Sequence, residues 1–145
     1  MRVLGHPLHP ILVTFPVSSF SIGTVHDLAT VAGITQASPS TGWLCLMIGV
    51  ATSVLALVTG FVEFLRLEPA SPAMRAATWH GLLAFSATSL FATALAVRGS
   101  GRPGLFAIAL ELAGLVLIGV TGWLGGHLVF HHGIAVREGE QALRK

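Results

Sequence analysis

Residues 1–16 read MRVLGHPLHPILVTFP. His6 and His9 stand three apart, each followed by a proline, Pro7 and Pro10, and an apolar run begins at once. Imidazole carries protons and ligates metal ions and haem iron. A stiff Pro-containing backbone therefore holds a histidine pair at the mouth of an apolar helix. That helix is the first of four apolar stretches, at about 10–32, 43–65, 76–97 and 105–130. Each reaches the roughly 20 residues needed to cross the hydrocarbon core of a bilayer. The expected fold is all-α: a four-helix, up-down-up-down transmembrane bundle forming one domain over residues 1–145, with a polar tail from 131.

Composition agrees. Of 145 residues, 53% are hydrophobic and 10% charged, against about a quarter charged in an ordinary soluble domain. A net charge of +2 spread along the chain argues against nucleic acid as a partner; the expected surroundings are the lipid bilayer. The lone cysteine, Cys45, lies within an apolar run and reads as a small buried membrane residue. The His-Pro pairs interrupt the place where a signal-peptide core would lie, so the first span is expected to remain and act as its own insertion signal.

The breaks between spans are short and carry turn residues: SPSTG, LEPASP and RGSGRPG. Short connections join antiparallel neighbours. The N-terminus, the second loop and the tail carry Arg2, Arg66, Arg75, Arg137, Arg144 and Lys145, whereas the opposite side has Arg98 and Arg102. Positive residues collect in the cytoplasm, so both termini are expected there, in a bacterial inner (plasma) membrane. Trp43, Trp79 and Trp123 fit interface positions. Pro16 is expected to kink the first span. Gly122 and Gly126 form a small-xxx-small pair expected to bring a neighbouring helix close.

Ionisable groups at membrane depth are costly and commonly functional. One layer contains His6, His9, Glu63, His80, His127, His131 and His132, drawn from all four spans. His127 and His131 share a helix face. The opposite layer contains His26, Asp27 and Glu111, candidates for proton handling. His132 reads as a solvated interface residue, Glu63 with Arg66 reads equally well as a local helix pair, and Glu63 could also be a structural partner for His80. Two histidines from two helices can hold haem b, and the axial candidates are His80, His9, His127 and His6. Zinc or copper would draw on His6, His9, Glu63, His80, His127 and His131. His80 is the residue whose loss should damage the site most. No catalytic residues are expected, because GxSxG, HExxH, paired catalytic carboxylates and phosphate loops are missing from the sequence. An electron-transfer subunit fits better than a stand-alone enzyme, with a non-catalytic metal-binding or structural subunit as the alternative. A membrane or redox protein partner, or a homo-oligomer, is expected.

The segments GHPLHPILVTFP and GWLGGHLVFHHGIAV, together with Asp27, Glu63 and the His80 of WHG, resemble the bacterial membrane family named domain of unknown function 2231. The resemblance spans the chain. Many members carry a histidine where this chain has Thr14 and an acid where it has His127. Some relatives carry a fused Rieske or cytochrome-type domain, which implies a redox setting and favours haem over zinc.

Overall fold

A computed structural model describes residues 2–3 and 6–134. The tail residues 135–145, including Arg137, Arg144 and Lys145, lie outside the described residues. The chain opens with a two-residue antiparallel pair, β1 (Arg2–Val3) with β2 (His6–Pro7). Five helices follow: α1 (Leu8–Leu12), α2 (Thr14–Val31), α3 (Pro39–Phe64), α4 (Pro72–Arg98) and α5 (Leu105–Phe130). Helices α1 and α2 together make one span, so among the described residues there are four helical spans long and apolar enough to cross a membrane.

The break between α1 and α2 falls at Val13, three residues before Pro16. Proline has no N–H to donate, and its ring collides with the carbonyl four residues back. That carbonyl belongs to Leu12, where α1 ends. Helices α3 and α4 start several residues earlier than the apolar runs alone suggest. The reason is capping: Ser38 and Ser71 sit at the N-caps, each accepting a bond from a backbone N–H of the first turn, and each is followed by proline at the first helical position. Proline is pre-shaped for that position. The prolines of SPSTG and LEPASP are therefore helix starts as well as turn residues. Gly99, with φ +56°, ends α4 in a backbone region that favours glycine.

Helix α2 packs on α3, α3 on α4 and α4 on α5, and contacts between α2 and α5 close the ring. The core is narrow. Phe20 of α2 stacks on Phe91 of α4, with Leu46 of α3 beside them and Val50, Leu95, Leu115 and Ile118 around them. Glycines make this possible. A Cβ at Gly49 would lie 2.5 Å from the Phe20 ring, and one at Gly114 would lie 2.6 Å from the Phe91 ring. The Gly122–Gly126 pair does not serve this purpose. A side chain at Gly122 would meet nothing within 4 Å, and one at Gly126 only Phe130 of its own helix. The close approaches use glycines on the inward faces instead.

Most large apolar side chains face outward, among them Phe15, Ile22, Val58, Phe85, Phe106 and Val116, with Trp79 and Trp123 near one end. Such a surface suits lipid. Helix α4 has the lower hydropathy expected of its serines and threonines, yet those hydroxyls do not stay unpaired. Thr78, Ser86, Thr88, Ser89 and Thr93 each donate to the backbone carbonyl four residues back. A hydroxyl satisfied by its own helix costs little in a medium without water.

A candidate metal centre and a buried ion layer

Five of the seven histidines form two groups at one end of the bundle. The first is interior. His9 of α1 donates from Nδ1 to the Ala56 carbonyl of α3 at 2.9 Å, and His80 of α4 donates from Nδ1 to the Thr121 carbonyl of α5 at 3.0 Å. Carbonyls only accept, so each Nδ1 carries a proton, which in the neutral ring leaves the lone pair on Nε2. The two rings lie edge to face with centroids 6.1 Å apart. Their space is supplied by Gly60 and Gly125, whose added Cβ atoms would lie 2.9 and 3.2 Å from the two rings. An imidazole fixed through Nδ1 by a backbone carbonyl is the arrangement that orients a ligating histidine.

The second group lies at the end of α5. His127, His131 and His132 each offer a ring nitrogen, and all these atoms lie within 4.8 Å of one another. His127 stacks on His131, centroids 4.6 Å apart, and His132 meets both rings edge-on at 5.1 and 4.8 Å. Trp123 stacks on the other side of His127. An open groove lined by Trp123, Gly126, His127, Phe130 and His131 runs alongside. His132 lies beyond the span. Burial, reinforced by the neighbouring His131 and His127, holds its pKa below the ordinary histidine value.

The two groups sit on nearly opposite faces of α5. His80 meets α5 along Thr121 and Gly125, whereas the cluster follows the ridge Trp123–His127. Two residues along an α-helix is about 200° of rotation. His80 thus adjoins His9 in the interior, and His127 turns outward to His131 and His132.

The opposite end of the bundle holds a buried ionic layer. Asp27 and Glu111 are fully buried. Arg98, at the last residue of α4, forms a salt bridge with Asp27 and also donates to the Pro39 and Gly101 carbonyls at 2.9 and 3.2 Å. His26 Nδ1 lies 3.3 Å from the other Asp27 oxygen. Arg102 ties the loop to the Thr30 carbonyl at 2.7 Å. Gly42 of α3 leaves the room: a Cβ there would overlap the Asp27 carboxylate.

Residues 5–138 match the sequence family described as "Predicted membrane protein (DUF2231)". The chain belongs to the DUF2231 family. No curated protein and no solved structure matches it. DUF2231 membership and the four spans together establish an integral membrane protein.

In this DUF2231 protein the sequence-expected residues are distributed as follows. His9 and His80 come together. His127 and His131 come together with His132, which sequence reasoning sets aside as interfacial. His6 lies exposed on β2. Glu63 is half-buried near the end of α3, and His80 Nδ1 is hydrogen-bonded to the Thr121 carbonyl. Two residues carry more than their sequence setting suggests. Only the four-residue step His127–His131 is a helix-face spacing; His132 lies past the end of α5, where its N–H bonds back to the His127 carbonyl and the ring meets His127 edge-on. Arg98 looked like a loop charge; its position at the end of a long span is what carries its side chain back to Asp27.

Proposed function

We propose that this membrane protein binds a transition-metal ion at His127, His131 and His132. The observation that carries this reading is three imidazole nitrogens within 4.8 Å of one another at a helix end. Three imidazoles suit zinc, copper or nickel, and zinc and copper are the ions favoured here. Metal–nitrogen bonds of about 2.0–2.1 Å require the rings to close by roughly 1 Å. Side-chain rotation supplies that at an end where His131 is exposed. The lowered pKa of His132 keeps a lone pair available near neutral pH. The DUF2231 description adds only that the protein is a membrane protein. The reading is that of a non-catalytic metal-binding subunit. It is tested by metal analysis of protein purified in detergent, with His131→Ala and His127→Ala as variants. Zinc or copper bound by the parent and lost from both variants supports it, and unchanged metal content in the variants rejects it.

A second reading is favoured by a separate observation, the His9–His80 pair with both Nδ1 protons anchored on backbone carbonyls. Such a pair from two spans can supply the axial ligands of haem b, which would make the protein an electron-transfer subunit that exchanges single electrons with a redox partner. The chain's own part would be to orient the two rings through Ala56 and Thr121. A Soret band in the purified protein, lost in His80→Ala, supports this reading; haem-free protein from iron-replete cells rejects it.

A further inference from the structure

At the end opposite the histidine clusters, two buried carboxyl groups share one buried guanidinium. Asp27 is paired with Arg98, Arg98 also donates to the carbonyls of Pro39 and Gly101, and its Nε is buried and unpartnered. Arg102 is engaged by the Thr30 carbonyl. Glu111 of α5 is fully buried, faces Asp27, Arg98 and Thr24, and neither of its carboxyl oxygens makes a hydrogen bond of ordinary geometry. The Thr24 hydroxyl, also fully buried, is unpartnered as well. Four helices surround this point. Helix α2 brings Asp27, His26 and Thr24, α4 brings Arg98, and α5 brings Glu111 itself. Helix α3 brings Gly42 and the Pro39 carbonyl, with Cys45 packed on Gly23 of α2. One guanidinium thus serves two buried carboxyl groups.

A second carboxylate in such a place would be an uncompensated charge in a medium without water, the most costly state a side chain can adopt there. Two carboxyl groups facing each other can form a hydrogen bond only if one carries a proton. We propose that Glu111 and Asp27 form a buried proton-binding site, in which Glu111 holds the proton and the Asp27–Arg98 pair orients it. The site exchanges with the face on which α2 ends. His26, at the site's edge with a side chain 12% exposed, touches Asp27 through Nδ1, and its Nε2 is buried and unpartnered. Towards the other face the stacked Phe20 and Phe91 rings and Leu46 close the interior. Binding is the addition of H⁺ to the Glu111 carboxylate, which forms one O–H bond; release breaks that bond, and relay to water by His26 forms and breaks an N–H bond on its ring.

The test is infrared difference spectroscopy on the full-length protein in nanodiscs, comparing parent, Glu111→Gln and Asp27→Asn at neutral pH in H₂O and D₂O. The expected result is a neutral carboxylic-acid C=O band that shifts in D₂O and disappears in Glu111→Gln. The glutamine variant mimics the protonated acid in size and charge, so its elution and melting behaviour should match the parent, which keeps the comparison interpretable. Absence of the band from the parent, or its survival in Glu111→Gln, overturns the proposal. A sodium arm separates proton from metal cation: the band should be the same in NaCl and in choline chloride. Its loss in NaCl alone would assign the site to Na⁺ and overturn the proton.

Discussion

Phe20 and Phe91 stack with ring centroids 3.9 Å apart and planes within 4° of parallel. They join α2 to α4 across the middle of the bundle and separate two polar ends of different chemistry. On one side lie Asp27, Arg98 and Glu111; on the other lie His9 and His80. The stack depends on Gly49 and Gly114, against which the two rings lie.

Enlarging either glycine should therefore be costly. Gly114→Leu and Gly49→Leu each drive carbon into a ring that has no free space, and overpacking of this kind costs about 1–3 kcal/mol. Gly122→Ala, where the new methyl meets nothing within 4 Å, should not destabilise the monomer and should gain up to about 1 kcal/mol from the better helix propensity of alanine. Unfolding midpoints in detergent check this. Equal losses at Gly114 and Gly122 would place the helix contacts elsewhere.

The four spans were legible in sequence because lipid imposes a length and a composition that few other settings require. Short loops then fixed which helices are neighbours. The partition of the histidines was not legible. Whether residue 80 faces residue 9 or residue 127 depends on the rotation of α4 and α5 about their axes, and apolar side chains all round those helices give no pattern to reveal it. Gly60 and Gly125 mark the answer only after the fact, since they look like any of the 17 glycines. The partner of Asp27 was hidden for a different reason. Asp27 and Arg98 are 71 positions apart, and the pairing exists only because α2 and α4 end on the same side.

Breaking the Asp27–Arg98 bridge should be among the most damaging single changes. Asp27→Asn removes the salt-bridged counter-ion and leaves Glu111, by giving up its proton, as the remaining carboxylate for Arg98, a loss of up to about 3–5 kcal/mol. The double variant Asp27→Asn/Arg98→Gln should recover part of it, because no lone charge remains. A double-mutant cycle by denaturant titration in detergent measures the coupling. Additive losses would show that the two side chains act independently.

Gly42→Ala should act on the same bridge from the opposite helix. The new methyl overlaps the Asp27 carboxylate and crowds His26, so Asp27 must move away from Arg98. The expected effect is a stability loss on the order of 1–3 kcal/mol, largely absent when Asp27 is already Asn with a rearranged side chain. If Gly42→Ala costs as much in that background as in the parent, the clash is with something other than Asp27.

Metal loading at the end of α5 should fall with acidification, because a metal ion must displace protons from imidazole. The sign at His132 follows from its lowered pKa. Unfolded histidine titrates near 6.5; in the folded protein His132 stays neutral below that, so its contribution is fully present above pH of about 6.5. It is lost as pH falls through the folded value. Equilibrium dialysis of zinc across this range, with His132→Gln beside the parent, reads the dependence. Loading that rises on acidification would contradict it.

The most direct measurement is metal and haem stoichiometry per folded chain in three samples: the parent, a His127→Ala/His131→Ala/His132→Ala triple variant and a His9→Ala/His80→Ala double variant. With the metal at the end of α5, the parent should carry close to one zinc or copper per chain, the double variant should retain it and the triple variant should lose it. Equal metal content in the parent and the triple variant would contradict a metal site at His127, His131 and His132.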